Sequence, residues 1–291
     1  MLTVSIVTYH TDADELRACL ASLRAKCVSR IFIVDNAQEE RIRAIAGEHR
    51  KTTYIPLPNP GYGAAHNVAI RKGMESGARY HLVLNSDVRF EPVKLDRLVE
   101  IMESRPEVGQ LQPQLLNTDG SLQYSVRRLP SPLDVFGRRF LPRWLINSRD
   151  ARYTLRTLDR SREHNIPYHQ GSFMLLRTAA LHETGLFDER FFMYPEDIDL
   201  TRRIHRRYVT LFYPFITVTH AHRAGSYHSL RLLRIHAINM IRYFNKWGWT
   251  TLRDTERKLF NSEIEPENPK QTQYGKTDKR KPRGRSARRR G

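Results

Sequence analysis

The sequence predicts an α/β protein built on a mostly parallel, doubly wound sheet with helices on both faces. C-terminal helices and a basic tail follow it. Three observations carry that prediction. Short apolar, β-branched runs alternate with amphipathic stretches through roughly the first ninety residues. The connections between them are short, as parallel strand–helix–strand units require. Each apolar run also ends in polar residues, and the carboxyl ends of parallel strands are where such sheets bind ligands.

The elements follow in order. Leu2 to Thr8 (LTVSIVT) is a buried-strand pattern, and Asp12 or Asp14 can cap a helix through Leu16, Leu20 and Leu23. Arg30 to Val34 is a second strand that runs out at Asp35-Asn36, followed by a charged helix around Glu39 to His49. A strand at Thr53 to Leu57 leads into the loop NPGYGAAHN and a helix over Val68 to Ser76. Tyr80 to Leu84 is the fourth strand and ends at Asn85-Ser86-Asp87. Further on, His228 to Trp249 carries apolar residues at Leu230, Leu233, Ala237, Ile241 and Phe244. That spacing predicts a core-facing helical stripe, with Arg231, Arg234 and Arg242 on or near the exposed side.

Composition narrows the function. The 291 residues are 40% hydrophobic and 10% aromatic, enough for a sizeable core. A formal net charge of +18 points to a polyanionic neighbour: nucleic acid, an acidic membrane surface or a phosphorylated substrate. About half of that charge lies from Lys270 onward, in a segment too poor in apolar residues to offset its ordering entropy. Cys19 and Cys27 form neither a zinc pattern nor a disulfide framework. MLTVSIVTYH lacks a basic n-region, and no apolar run approaches a membrane span, so a cytosolic protein is expected.

Two acidic clusters carry the chemistry. Phe191 to Leu200, FFMYPEDIDL, sets Glu196, Asp197 and Asp199 between aromatic residues and the basic run TRRIHRR. A helix from Asp199 to Arg207 would place these acids at its positive end, either as a cap or as a held, partly dehydrated base. Asn85-Ser86-Asp87 offers one carboxylate at a strand end, and one or two carboxylates with substrate phosphates suffice for Mg²⁺ or Mn²⁺. Asp35-Asn36 reads as a helix cap or a ligand contact. The loop Asn59-Pro60-Gly61-Tyr62-Gly63 is neither a dinucleotide fingerprint nor a Walker phosphate loop.

From about Leu2 to about Lys246 the chain resembles the family 2 inverting glycosyltransferases of GT-A fold, on their rhamnosyltransferase-like branch. The matching pieces stand in order: VSIVTYH, IFIVDNA, NPGYGAAHNVAI, HLVLNSDVRFEP, VGQLQPQLLNTDGSLQYSVRR, GSFMLLRTAAL, GLFDERFFMYPEDIDLTRRI and VTHAHRAGS. The resemblance implies a Rossmann-like sheet and one domain over residues 1–260. Within it, a nucleotide-sugar half covers about 1–115, an acceptor half about 116–225 and a helical segment about 228–260; a disordered basic tail occupies 261–291. It implicates Thr8, Tyr9, Asp35 and Asn36 at the nucleotide base, and Asn59, Gly61 and Asn67 along the nucleotide and ribose. The family's DxD position is filled by Asn85-Ser86-Asp87. Asp87 is then the metal ligand, with Asn85 a neutral contact and Ser86 beside it. The ED motif falls on Glu196 and Asp197, with Asp197 the base, Glu196 an acceptor or orienting contact and Asp199 the cap. The late histidine that completes the metal shell in some members falls on His220, with His222 the second choice.

The implied reaction uses Mg²⁺ or Mn²⁺, a dTDP- or UDP-sugar donor (rhamnose the leading sugar) and a glycan or lipid-linked acceptor. One-step displacement predicts inversion. Leu129 to Asn147 mixes Phe, Leu and Trp with arginines and prolines, either as a surface loop or as an interfacial segment. Basic segments and tail would hold the protein at an anionic inner leaflet. The competing readings are a nucleic-acid-binding protein, which lacks any recognition motif in the folded part, and a catalytically inactive nucleotide-binding relative.

Overall fold

The computed structural model describes residues 1–138, 141–221, 230–250 and 252–264. Strands β1 (Leu2–Thr8), β2 (Val28–Asp35), β3 (Thr52–Pro56) and β4 (Tyr80–Leu84) form one half of the sheet in the order β3-β2-β1-β4, all parallel. Helices α1 (Ala13–Ser22), α2 (Glu40–Gly47) and α3 (Tyr62–Glu75) make the crossovers. Because the chain winds outward from β1 to β3 and then returns to β4 on the other side, the crevice opens at the ends of β1 and β4. The expected polar strand ends therefore converge there. Asp12 caps α1, accepting from the backbone N–H groups of Asp14 and Glu15.

The second half extends the same sheet. After β5 (Val88–Arg89) and α4 (Pro92–Ser104) come β6 (Val108–Leu116) and the small pair β7 (Val126–Arg127) and β9 (Tyr168–His169). A π-helical turn (Leu133–Gly137), α5 (Arg143–Tyr153) and β8 (His164–Asn165) lie between that pair. Strand β10 (Phe173–Arg177) runs antiparallel between β4 and β6, and β11 (Val209–His220) lies parallel to β6. The last residue of β11 pairs with Val88 of β5. That pairing brings the strand end at His220 beside Asp87, 133 residues earlier in the sequence.

Helices α6 (Thr178–Thr184), α7 (Glu196–His205), α8 (Leu230–Trp247) and α9 (Thr255–Glu263) complete the described fold. The main core is formed by Leu2, Val4, Ile6, Leu16, Leu20, Ile33, Leu82, Leu84, Leu111 and Phe173 and their neighbours. A second cluster packs Leu129, Phe191 and Ile198 against Met240, Tyr243 and Phe244 of α8. Arg202 of α7, 1% exposed, pairs with buried Asp254 ahead of α9 and lies 4.0 Å from the Trp247 ring centre. Its guanidinium thus ties α7 to both C-terminal helices.

Four expectations change. Helix α3 starts at Tyr62 rather than Val68, because Gly61 turns the chain with φ +104° and the small residues Gly63, Ala64 and Ala65 can pack closely. The α8 stripe is displaced: Ile241 is 42% exposed, while Met240 and Tyr243 are buried with Phe244. The folded chain runs past Phe260, since Asn261 exchanges hydrogen bonds with the Leu129 backbone and Ile264 is buried. Helix α7 begins at Glu196, three residues before Asp199. The basic tail beyond Ile264 lies outside the described residues, as does His222.

Candidate active site

The donor side is built from strand ends. Asp35 is fully buried and its carboxylate accepts four hydrogen bonds, from Thr8 Oγ1 (3.2 Å), Ala37 N (3.0 Å), Glu39 N (2.6 Å) and Tyr54 OH (2.9 Å). Such a carboxylate has no acceptor position left for a base. Thr8, also fully buried, is spent on the same knot. Asn67 is likewise consumed: its amide bonds the backbone of Phe187 in both directions and reaches Glu189 (2.9 Å). In this structure the side chains of Thr8, Asp35 and Asn67 are engaged within the protein and hold the walls of the crevice. Tyr9, 56% exposed, does face outward. Asn36 donates to Asn59 Oδ1 (3.2 Å), and its own Oδ1 is buried with no partner.

The loop after β3 closes onto the acidic segment. A Cβ on Gly61 would lie 2.4 Å from the Phe192 carbonyl oxygen, and Tyr62 N donates to that same oxygen at 2.9 Å. The Tyr62 hydroxyl lies 2.8 Å from Asn85 Oδ1 and 2.9 Å from the Gly171 carbonyl. Gly171 N in turn donates to Asp197 Oδ2 at 3.0 Å. Through Tyr62 and Gly171 the strand end at Asn85 and the carboxylate of Asp197 become parts of one wall. The sequence reading named Gly61 and missed Tyr62; an aromatic residue between two glycines was the available signal.

Asp87 and His220 meet at the far end of the crevice. His220 is 1% exposed, and its Nε2 lies 3.2 Å from Asp87 Oδ1. Gln123 Oε1 lies 2.8 Å from His220 Nδ1 and fixes the ring so that Nε2 faces Asp87. An imidazole nitrogen facing a buried carboxylate oxygen is a donor set that fits a divalent cation. Among the described residues no group of three or more His, Cys, Asp or Glu side chains could hold a metal, so further ligands would come from the substrate and water. Ser86 Oγ donates to Glu15 Oε1 at 2.9 Å and so anchors the loop to α1.

The acids of α7 separate into three roles. Asp199 is fully buried and pairs with Arg203 (2.9 Å), Lys246 (2.7 Å) and Trp247 Nε1 (2.8 Å). It is a bolt to α8, not the cap, because the earlier helix start moves it into the first turn's interior. Glu196 is 4% exposed, with Oε2 buried and unpartnered. Its side chain lies against Gly63, where a Cβ would come within 3.3 Å of its Cγ. Burial, then the neighbouring Asp197 charge, pushes the Glu196 carboxyl well above the ordinary glutamate range. Burial also raises Asp197, but the N–H groups of Gly171 and Ile198 and the charge of Arg127 oppose it. Of the two carboxyls, Glu196 is pushed up the more strongly.

That shift gives a stability prediction. A carboxyl raised on folding favours the folded state below the unfolded-chain value, near 4.5, and the benefit is lost as pH rises through the folded value. Glu196→Gln removes the titration. The expected result is a melting temperature that falls less than wild type between pH 5 and pH 8, read by differential scanning calorimetry. Parallel pH profiles would place the burden on other groups.

The switch-point crevice thus has a carboxylate–imidazole pair at one end and a half-buried aspartate at the other, at the strand ends where α/β sheets bind ligands. The chain belongs to glycosyl transferase family 2, whose profile matches residues 3–185, and it is a glycosyltransferase. It is 30% identical over 240 residues to the N-acetylglucosaminyl-diphospho-decaprenol L-rhamnosyltransferase of Mycobacterium tuberculosis, covering 78% of this chain and 77% of the relative. It is 25% identical to the rhamnosyltransferase WbbL of Escherichia coli, over 87% and 96% of the two chains. The fold is that of the GT-A enzymes. The mannosyltransferase PcManGT of Pyrobaculum calidifontis, solved with GDP-Man and Mn²⁺, superposes with a TM-score of 0.53 at 16% identity, over 83% of this chain and 64% of that one. Staphylococcus aureus TarS 1-349, solved with UDP-GlcNAc, gives 0.52 at 15% identity, over 76% and 58%. No helix among the described residues is long and apolar enough to cross a membrane.

Proposed function

We propose that this chain is an inverting, metal-dependent glycosyltransferase that moves a sugar, rhamnose first among the choices, from a nucleoside diphosphate to a lipid-linked glycan precursor at the inner face of the membrane. The observation that carries the reading is the Tyr62–Gly171 bridge, which sets Asp197 across one crevice from Asp87 and His220. The rhamnosyl lean rests on the two rhamnosyltransferase relatives, and the lipid-linked acceptor on the diphospho-decaprenol substrate in the name of one of them. Neighbours solved with Mn²⁺ and with UDP-GlcNAc or GDP-Man support a divalent cation and a nucleoside diphosphate donor.

The chemistry follows from the residues. Asp87 and His220 would hold Mg²⁺ or Mn²⁺, which neutralises charge gathering on the departing diphosphate. Asn36 Oδ1, an unsatisfied acceptor, would take an N–H of the base, with Asn59 orienting its amide and Tyr9 and Asn85 beside the donor. The acceptor hydroxyl oxygen attacks the anomeric carbon from the face opposite the diphosphate, whose C–O bond breaks. The hydroxyl proton passes to Asp197, whose two backbone N–H donors favour its charged form. Attack from the opposite face inverts the anomeric centre.

The test is a thermal-shift panel of UDP-, dTDP- and GDP-sugars with and without Mn²⁺. One donor at a hundred times its Kd adds about 2.7 kcal/mol, and that stabilisation is expected to need the cation. NMR of the product should show the inverted anomer. Equal stabilisation without metal, or a retained anomer, overturns the mechanism.

A further inference from the structure

The excursion between β7 and β9 leaves apolar surface in water. Leu133 is 47% exposed, Leu141 41%, Trp144 78% and Leu145 52%. They are neighbours: a Cβ on Gly137 would meet Leu133 Cδ1 at 3.1 Å and Leu141 Cδ1 at 3.5 Å, and Leu145 N donates to Pro142 O one turn further on. Behind this edge the lobe is braced. Phe136 packs on Phe244 of α8 at 6.4 Å between ring centres, and Ile146 and Tyr153 are buried.

Charge says what would cover the edge. Residues 127–162 contain ten arginines against three aspartates and one further basic type, lysine, is absent. Two of the aspartates are spent inside the lobe: Asp134 on Arg149 (2.7 Å), Asp150 on Arg138 (2.7 Å) and Arg156 (2.5 Å). By sequence the segment that carries this tryptophan and leucine edge is therefore cationic. That combination of apolar tip and basic flank suits the headgroup boundary of an anionic bilayer. A protein partner would have to bring its own acidic surround.

Position supplies the purpose. The excursion departs from Arg127, whose charge acts on Asp197, and returns through Tyr168, two residues before Gln170 and three before Gly171. We infer that the Leu133–Leu141–Trp144–Leu145 edge inserts into an anionic membrane surface and brings the Asp197 end of the crevice to a lipid-linked acceptor; the acceptor half of this inference rests on the function proposed above.

The experiment uses the full chain and vesicles of phosphatidylcholine with or without phosphatidylglycerol. Trp144 fluorescence should shift to the blue with anionic vesicles and be quenched by brominated lipid, and Trp144→Phe should lose that quenching. Trp144→Ser with Leu145→Ser should lower partitioning by about tenfold or more at moderate salt, with unchanged melting temperature and unchanged transfer to a water-soluble acceptor. Undiminished partitioning that high salt abolishes would overturn the inference, since the tail alone would then be binding electrostatically. A wild-type dimer that the double variant dissolves, without lipid quenching, would assign the edge to a second copy instead. Vesicle binding is read without turnover, so an error in the proposed reaction leaves this result intact.

Discussion

Asp197→Ala loses sugar transfer by about 10²- to 10⁴-fold, the range for removing a positioned general base, while donor affinity stays within a few-fold of wild type. The reason is local. Asp197 reaches the crevice from the first turn of α7, with Gly171 N and Ile198 N holding its two oxygens. Neither bond involves the donor end of the site. Single-turnover transfer and isothermal titration with the donor separate the two effects. Asp197→Asn should fail similarly, because an amide keeps the shape and cannot accept the hydroxyl proton. Wild-type transfer by either variant would reassign the base.

Asp87→Ala should act on binding. It removes one of the two side chains proposed to hold the cation, so Mn²⁺ no longer tightens the donor. The expected loss of metal-dependent donor affinity is about 100-fold, and Gln123→Ala, which frees the His220 ring, should cost about 10- to 100-fold in metal affinity. Titrating Mn²⁺ at fixed donor reads both. Metal-free donor affinity should hardly move in either variant. If Mn²⁺ continues to tighten the donor when Asp87 is absent, the cation site lies elsewhere.

Much of the fold was legible because its signals are local. The β-branched runs at Leu2–Thr8 and Tyr80–Leu84 became strands at their predicted bounds. Asp12 capped the first helix for the reason its side chain suggests. The acidic segment was recognisable from residue types alone, and so was the strand-end aspartate. Harder were the positions decided by contacts between distant segments. Asp35 looks like a ligand residue and proves to be a four-fold acceptor inside the wall, since Tyr54 on the next strand completes its shell. Asn67 looks like a loop contact and is buried against Phe187 and Glu189, some 120 residues away. The adjacent Glu196 and Asp197 are indistinguishable in sequence. Their roles part only because the helix turns one under Gly63 and the other toward Gly171.

The sequence by itself determined the α/β class, the polar strand ends and the acids of FFMYPEDIDL, because short-range periodicity and residue chemistry encode them. Tertiary structure decided that Asp199 is bolted to α8, that His220 meets Asp87, and how the two ends of the crevice are joined. Each of these depends on burial and on hydrogen bonds between segments far apart in the chain. No local pattern specifies the dielectric or the partner that a carboxyl will find there.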